Sequence, residues 1–231
     1  VSTNTLARVV APTSTALTSS LNPANYGQAI TLTATVTSAA GVPTGSVAFA
    51  DGGAALGTAA VDGSGRATLV VSTLSAGTRG LTATYGGDHS HLNGSTGNLS
   101  QSVTTATTKT TLISSPNPSS PGQLVNFVAT VTGQFGGAVS GLVTFKKGPN
   151  ALGTAAVAPD GAATLPLTSL GTGPHVVTAT YAGDVNSLGS SSSSVTHNVV
   201  APASPTTTIV SSSLNRCPPL AALIGSTSPM M

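Results

Sequence analysis

The chain has no glutamate and no tryptophan, one cysteine, and only 5% charged residues, where about a quarter is usual. Without glutamate, every side-chain carboxylate is one of five aspartates: Asp51, Asp62, Asp88, Asp160 and Asp184. Each of them adjoins a glycine. Aspartate beside glycine is first of all a turn device, so an acid–base pair would have to be assembled from two separate turns. Cys217 stands alone, which excludes an internal disulfide and leaves the redox compartment open. Aromatic residues are 3% of the chain. Phe49, Phe145, Tyr85 and Tyr181 fall at inward positions of expected strands, which leaves no aromatic platform for stacking a sugar ring or a base. Seven basic residues and a net charge of +2 make no nucleic-acid footprint. The one basic pair, Lys146-Lys147, reads as a solvated hairpin edge that discourages sheet-to-sheet association. No apolar run reaches the roughly 18 residues a bilayer span requires, so no membrane span is expected in this fragment. No basic and apolar leader opens the chain at Val1, so it reads as an interior piece of a longer exported protein, with its signal upstream.

Hydroxyls alternating with small apolar residues take the place of charge. Gln28 to Thr37 places Ile30, Leu32, Ala34 and Val36 on one face and Thr31, Thr33, Thr35 and Thr37 on the other. This is the period of a half-buried strand. The pattern returns at Gln123 to Thr132, with Val125, Phe127, Ala129 and Val131 each 95 positions beyond their counterparts. Such a period marks a tandem of modules. The expected organisation is a leading linker at 1–12, one module at 13–104, a second at 109–200, and a third, broken copy at 206–231.

In the first module strands are expected at 15–20, 28–37, 45–50, 56–61, 66–72, 80–85 and 98–104. They are punctuated by Asn22-Pro23, Asp51-Gly52, Asp62-Gly63-Ser64-Gly65 and Gly86-Gly87-Asp88. Seven short strands with a turn signal every 8–12 residues or so predict an all-β sandwich, and no helical period competes. The second module repeats the steps, with one residue inserted before Gly141. The connector Thr104 to Thr108 is short and β-branched, which predicts an extended, semi-stiff link rather than a Gly/Ser tether. In the third copy, Thr207 to Asn215 echoes the first strand. Arg216-Cys217-Pro218-Pro219 then stands where a proline is due, and Met230 and Met231, the two methionines of the chain, follow. The reading frame is expected to depart near Asn215, or the gene to have been cut there, leaving 206–231 poorly ordered.

Both complete modules resemble the bacterial immunoglobulin-like repeat domain of the group 3 type. The resemblance rests on Leu17-Thr18-Ser19-Ser20 with Asn22-Pro23, Gly27-Gln28, Pro43-Thr44-Gly45-Ser46-Val47-Ala48-Phe49, Leu56-Gly57 and Thr82 to Asp88. Their counterparts are Ser114 to Pro118, Gly122-Gln123, Gly141 to Phe145, Leu152-Gly153 and Thr178 to Asp184. It covers about residues 13–200, with Val139-Ser140-Gly141 departing from Pro43-Thr44-Gly45. The resemblance implies two tandem immunoglobulin-like β-sandwiches, used as spacer, stalk or adhesion modules of bacterial surface or secreted proteins, with no catalytic residues to transfer.

Candidate sites are few. Asp88 with Asn93, and Asp184 with Asn186, offer hard oxygen ligands to calcium, but one carboxylate per loop makes a weak site beside the turn reading. His89 and His91 have the i, i+2 spacing of some metal sites without a third ligand, and repeat two has Val185 and Ser187 there. His175 and His197 stand far apart in sequence. The outward hydroxyl rows, Thr31, Thr33, Thr35 and Thr37 on one strand and Thr82 and Thr84 on another, offer regular arrays to a crystalline ligand, and threonine's β propensity explains them as well. No catalytic triad stands out, and no cofactor is expected. The expected role is a non-catalytic spacer at the bacterial surface or outside the cell, with neighbouring repeats as partners. A loop-based binding module for glycan, protein or calcium, or accessory domains of a secreted hydrolase, are the alternatives.

Overall fold

The first module is built from eight strands. They are β1 (Thr13–Ser19), β2 (Ala24–Asn25), β3 (Ile30–Ser38), β4 (Ser46–Asp51), β5 (Ala54–Ala60), β6 (Arg66–Val71), β7 (Gly77–Tyr85) and β8 (Ser95–Thr104). The second has β9 (Thr108–Ser115), β10 (Val125–Gly133), β11 (Leu142–Lys147), β12 (Asn150–Ala156), β13 (Ala162–Leu167), β14 (Gly173–Tyr181), β15 (Ser190–Ser191) and β16 (Val195–Val199). This computed structural model describes residues 11–88 and 94–203, and every element among them is a strand. The two modules form one compact unit that ends at Ala201. Most of the leading linker, the residues His89, His91 and Asn93, and the third copy with Asn215, Cys217 and both methionines lie outside the described residues.

Each module is two sheets packed face to face. In the first, β1-β3-β6 lies over β2-β8-β7-β4-β5. In the second, β13-β10-β9 lies over β12-β11-β14, with β15 and β16 both pairing β14. The alternation of β3 decides which face turns inward. Ile30, Leu32, Ala34 and Val36 are at most 2% exposed, while Thr31, Thr33 and Thr35 are half-exposed. Across the gap stand Val47, Phe49, Leu81, Ala83 and Tyr85. In the second module Val125, Phe127, Ala129 and Val131 meet Val143, Phe145, Val177, Ala179 and Tyr181. Burying each large aliphatic or aromatic side chain is worth about 1.5–3 kcal/mol, the main favourable term in a chain with so few charges.

Polar details fix the register. The buried Tyr85 hydroxyl donates to the Thr44 carbonyl at 2.8 Å, and burial, followed by the nearby Asp88 carboxylate, pushes its phenol up to about 12. In the turn before β6, Asp62 accepts from the amides of Ser64 and Arg66. Gly65 there has φ of +77°, and a Cβ on it would lie 2.6 Å from the Val36 carbonyl. No side chain fits that corner. Edge strand β13 carries Pro166, which lacks the amide that an outside strand would pair with.

Two features differ from the sequence expectation. Strand β2, two residues running parallel to the end of β8, is too short to carry a periodic signal. Lys146-Lys147 does not lie on an edge, because β11 is paired on both sides.

Phe127, on the central strand β10 between β9 and β13, is fully buried against the opposite sheet. Phe127→Ala should lower the unfolding free energy of the second module by about 3–5 kcal/mol in a urea titration.

Candidate functional site

The carboxylates cap loops. Asp88 Oδ2 accepts from the Thr44 amide at 2.7 Å and its hydroxyl at 2.9 Å. Asp184 Oδ2 does the same with Ser140, at 2.8 and 3.0 Å, and Asp184 Oδ1 takes the Asn186 amide at 2.8 Å. Burial alone would raise the Asp184 carboxyl, but these donors outweigh it and hold the group below the usual carboxylate range. The stability this contributes is complete above that range and is lost as pH falls through it. Asp160 accepts from the Ala162 amide, and Asp51 pairs with Arg79 at 2.6 Å. Asp184 and Asn186 are thus joined by a hydrogen bond in which the Asn186 backbone amide is the donor. Among the described residues no three histidine, cysteine or acidic side chains gather into a metal-binding group.

The Asn186 side chain points elsewhere. Its Oδ1 accepts from the amide of Ala76, in the loop between β6 and β7 of the first module, at 2.9 Å. Its own carbonyl accepts from the Ala106 amide at 3.0 Å, and the Leu188 amide donates to the Ala106 carbonyl at 2.8 Å. Ala106, in the middle of the connector, is 2% exposed. The residues around it are held in turn: the Tyr26 amide donates to Thr104, and Thr107 exchanges two bonds with Gln134 at 2.9 and 2.8 Å. On the other side of the joint the Tyr26 ring lies against Gly137, and its hydroxyl donates to the Ala138 carbonyl at 3.1 Å. A Cβ on Gly137 would collide with that ring. The connector, expected as an extended, semi-stiff link, is held by hydrogen bonds at Thr104, Ala106, Thr107 and Thr108, and a half-buried tyrosine covers one side of it.

These residues were not singled out in the sequence. Tyr26 lies off the alternating pattern and has Pro121 at the matching position of the second module, so it leaves no repeat signal. Asn186 carries in the sequence only the signal of an oxygen ligand.

The comparisons with known proteins bear on this pair of sandwiches. The model of the bacterial Ig-like domain, group 3, matches residues 17–106 and again 111–200. The chain belongs to the group 3 bacterial Ig-like domain family. Among solved structures, the fibronectin(III)-like modules of CbhA from Clostridium thermocellum are 16% identical. That alignment covers 81% of this chain and 93% of theirs, with a TM-score of 0.32. The Escherichia coli adhesin FdeC is 14% identical, covering 83% of this chain and 64% of that one, with a TM-score of 0.33. The Yersinia pseudotuberculosis adhesin InvE is 18% identical, covering 80% and 59%, with a TM-score of 0.40. The chain thus spans under two thirds of either adhesin structure. No curated protein matches it.

In this pair of bacterial Ig-like domains the joint brings groups from both copies together. Removing the Asn186 side chain takes the acceptor from the Ala76 amide. Asn186→Ala should speed hydrogen exchange at Ala76 about tenfold, the worth of one net hydrogen bond. Core amides of β3 and β10 should be unchanged when both are read by NMR.

Proposed function

We propose that the tandem is a structural spacer in a bacterial cell-surface or secreted protein, keeping what lies beyond it at a set distance. The joint supports this reading most. A connector whose job was only to tether would gain nothing from pinning Ala106 between Asn186 and Leu188, or from seating Tyr26 on Gly137. Membership of a family of Ig-like domains present here in two consecutive copies supports it too. The mechanism is mechanical. Each sandwich closes its own core, and the joint limits how far one can swing against the other. The partners of each domain are then its neighbours in the chain, and the place of action is outside the cell.

The competing reading, a module whose loops bind glycan, protein or calcium, calls for groups free to meet a ligand. Asp184 already accepts three hydrogen bonds and Asn186 is engaged on both its amide and its side chain.

The spacer reading is tested by placing the chain between a surface anchor and a fluorescent reporter and measuring the reporter's height. Deleting residues 109–200 should lower it by roughly 30 Å, the length of a nine-residue strand such as β10. A glycan array and a calcium titration of melting temperature should both be flat. An unchanged height, or saturable binding in either assay, contradicts the reading.

A further inference from the structure

The two histidines that stand far apart in the chain are opposite each other in the fold. His175 of β14 and His197 of β16 are register partners on the inner face, 7% and 0% exposed. His175 Nε2 lies 2.7 Å from the Gly171 carbonyl and must donate to it. Its Nδ1, 3.0 Å from the Lys147 ammonium, can then only accept. His197 Nε2 meets the Ser119 hydroxyl at 2.9 Å, its Nδ1 lies 3.3 Å from the Ser114 hydroxyl, and its ring packs edge-on with Phe127, the centroids 5.6 Å apart.

The first module solves the same three positions with other chemistry. Asp51, Arg79 and Gln101 stand 96 positions before Lys147, His175 and His197. Asp51 and Arg79 form an ion pair at 2.6 Å, and the buried Gln101 donates to the carbonyls of Leu21 and Ser102. A neutralised pair and an amide in one copy are thus replaced in the other by two imidazoles and an ammonium.

We propose that His197, paired in register with His175 and backed by Lys147, is an acid-sensitive latch that loosens the β11-β14-β16 sheet of the second module below neutrality while the first module holds. The geometry gives a new positive charge on His197 hydroxyl oxygens to bond, those of Ser119 and Ser114, but no counter-ion. Lys147 is the charged group facing the pair from β11, whose other lysine, Lys146, sits opposite Thr178 on the outer side of the sheet. Strand β9 contributes the Ser114 hydroxyl, and its Lys109 is exposed opposite Thr132 at the far end of the strand. The segment before β10 contributes Ser119 and β10 itself the Phe127 ring. The turn at 168–172 contributes the Gly171 carbonyl. Among the described residues no carboxylate bonds to either histidine.

A proton on His197 puts a charge on a fully buried ring with no carboxylate beside it, which the fold disfavours. Burial, helped by the neighbouring His175, already holds the His197 imidazole below its ordinary value. The sign follows. Near pH 6.5 the unfolded chain takes up a proton that folded His197 refuses, so stability is complete above that pH and falls as pH drops through it. This window lies above the one in which Asp184 acts. The inference concerns the second module's own fold and holds whatever the tandem is used for.

Hydrogen exchange of the full chain, read peptide by peptide as protection factors at about pH 7.5 and about pH 5, tests it. Protection in β14 and β16 should fall about tenfold or more, one bound proton being worth about tenfold per pH unit, while β7 and β8 keep theirs. His197→Gln, the residue of the first module, should shrink the fall. Lys147→Asp with His175→Arg and His197→Gln should abolish it. Equal losses in both modules, or an undiminished fall in either variant, overturn the proposal. Should a variant fail to fold, the comparison of the two modules within the unaltered chain still decides it.

Discussion

One face of β3 and of β10 has to leave water, and the rest of each module answers to that requirement. A strand that alternates Ile30, Leu32, Ala34 and Val36 with threonine cannot be stable alone. A second sheet carrying Phe49 and Tyr85 closes over it. Because the chain has almost no charge to spend on its surface, hydroxyls keep the outer faces wet, and the few carboxylates are drawn into loops where backbone amides need acceptors. The chemistry of the surface is therefore quiet, and what distinguishes one part of the molecule from another lies at the ends of the sandwiches.

The joint and the histidine pair both arise where the two copies have diverged. Their cores are near-copies, down to Tyr85 and Tyr181, each with its phenol pushed up to about 12. Tyr26 against Pro121, Asn186 against Ser90, and His175 against Arg79 are the positions where one copy does something its counterpart cannot. Divergence at the poles and on one buried polar cluster, over a preserved core, is what a duplicated module needs if its copies are to hold different places in an array.

The fold was legible because its cause is periodic. Alternation, turn dipeptides and the 95-residue repeat are local signals, and Phe49, Phe145, Tyr85 and Tyr181 are buried where the pattern puts them. The joint was not legible, because its contacts join residues about 110 positions apart, such as Tyr26 with Ala138 and Ala76 with Asn186, and none of them sits on a periodic face. Lys147 read as a solvated charge and His197 as an isolated residue for the same reason. Strand register, which no single-strand pattern specifies, brings β14 between β11 and β16 and so makes the three basic groups neighbours.

The two sandwiches are held by their joint rather than merely strung together. A distance distribution between spin labels on Thr58→Cys and Thr154→Cys, two exposed positions on β5 and β12, with Cys217→Ser removing the native thiol, tests this. A held joint predicts one narrow distribution. A distribution as broad as that obtained when Thr104 to Thr108 is replaced by glycine and serine would contradict it.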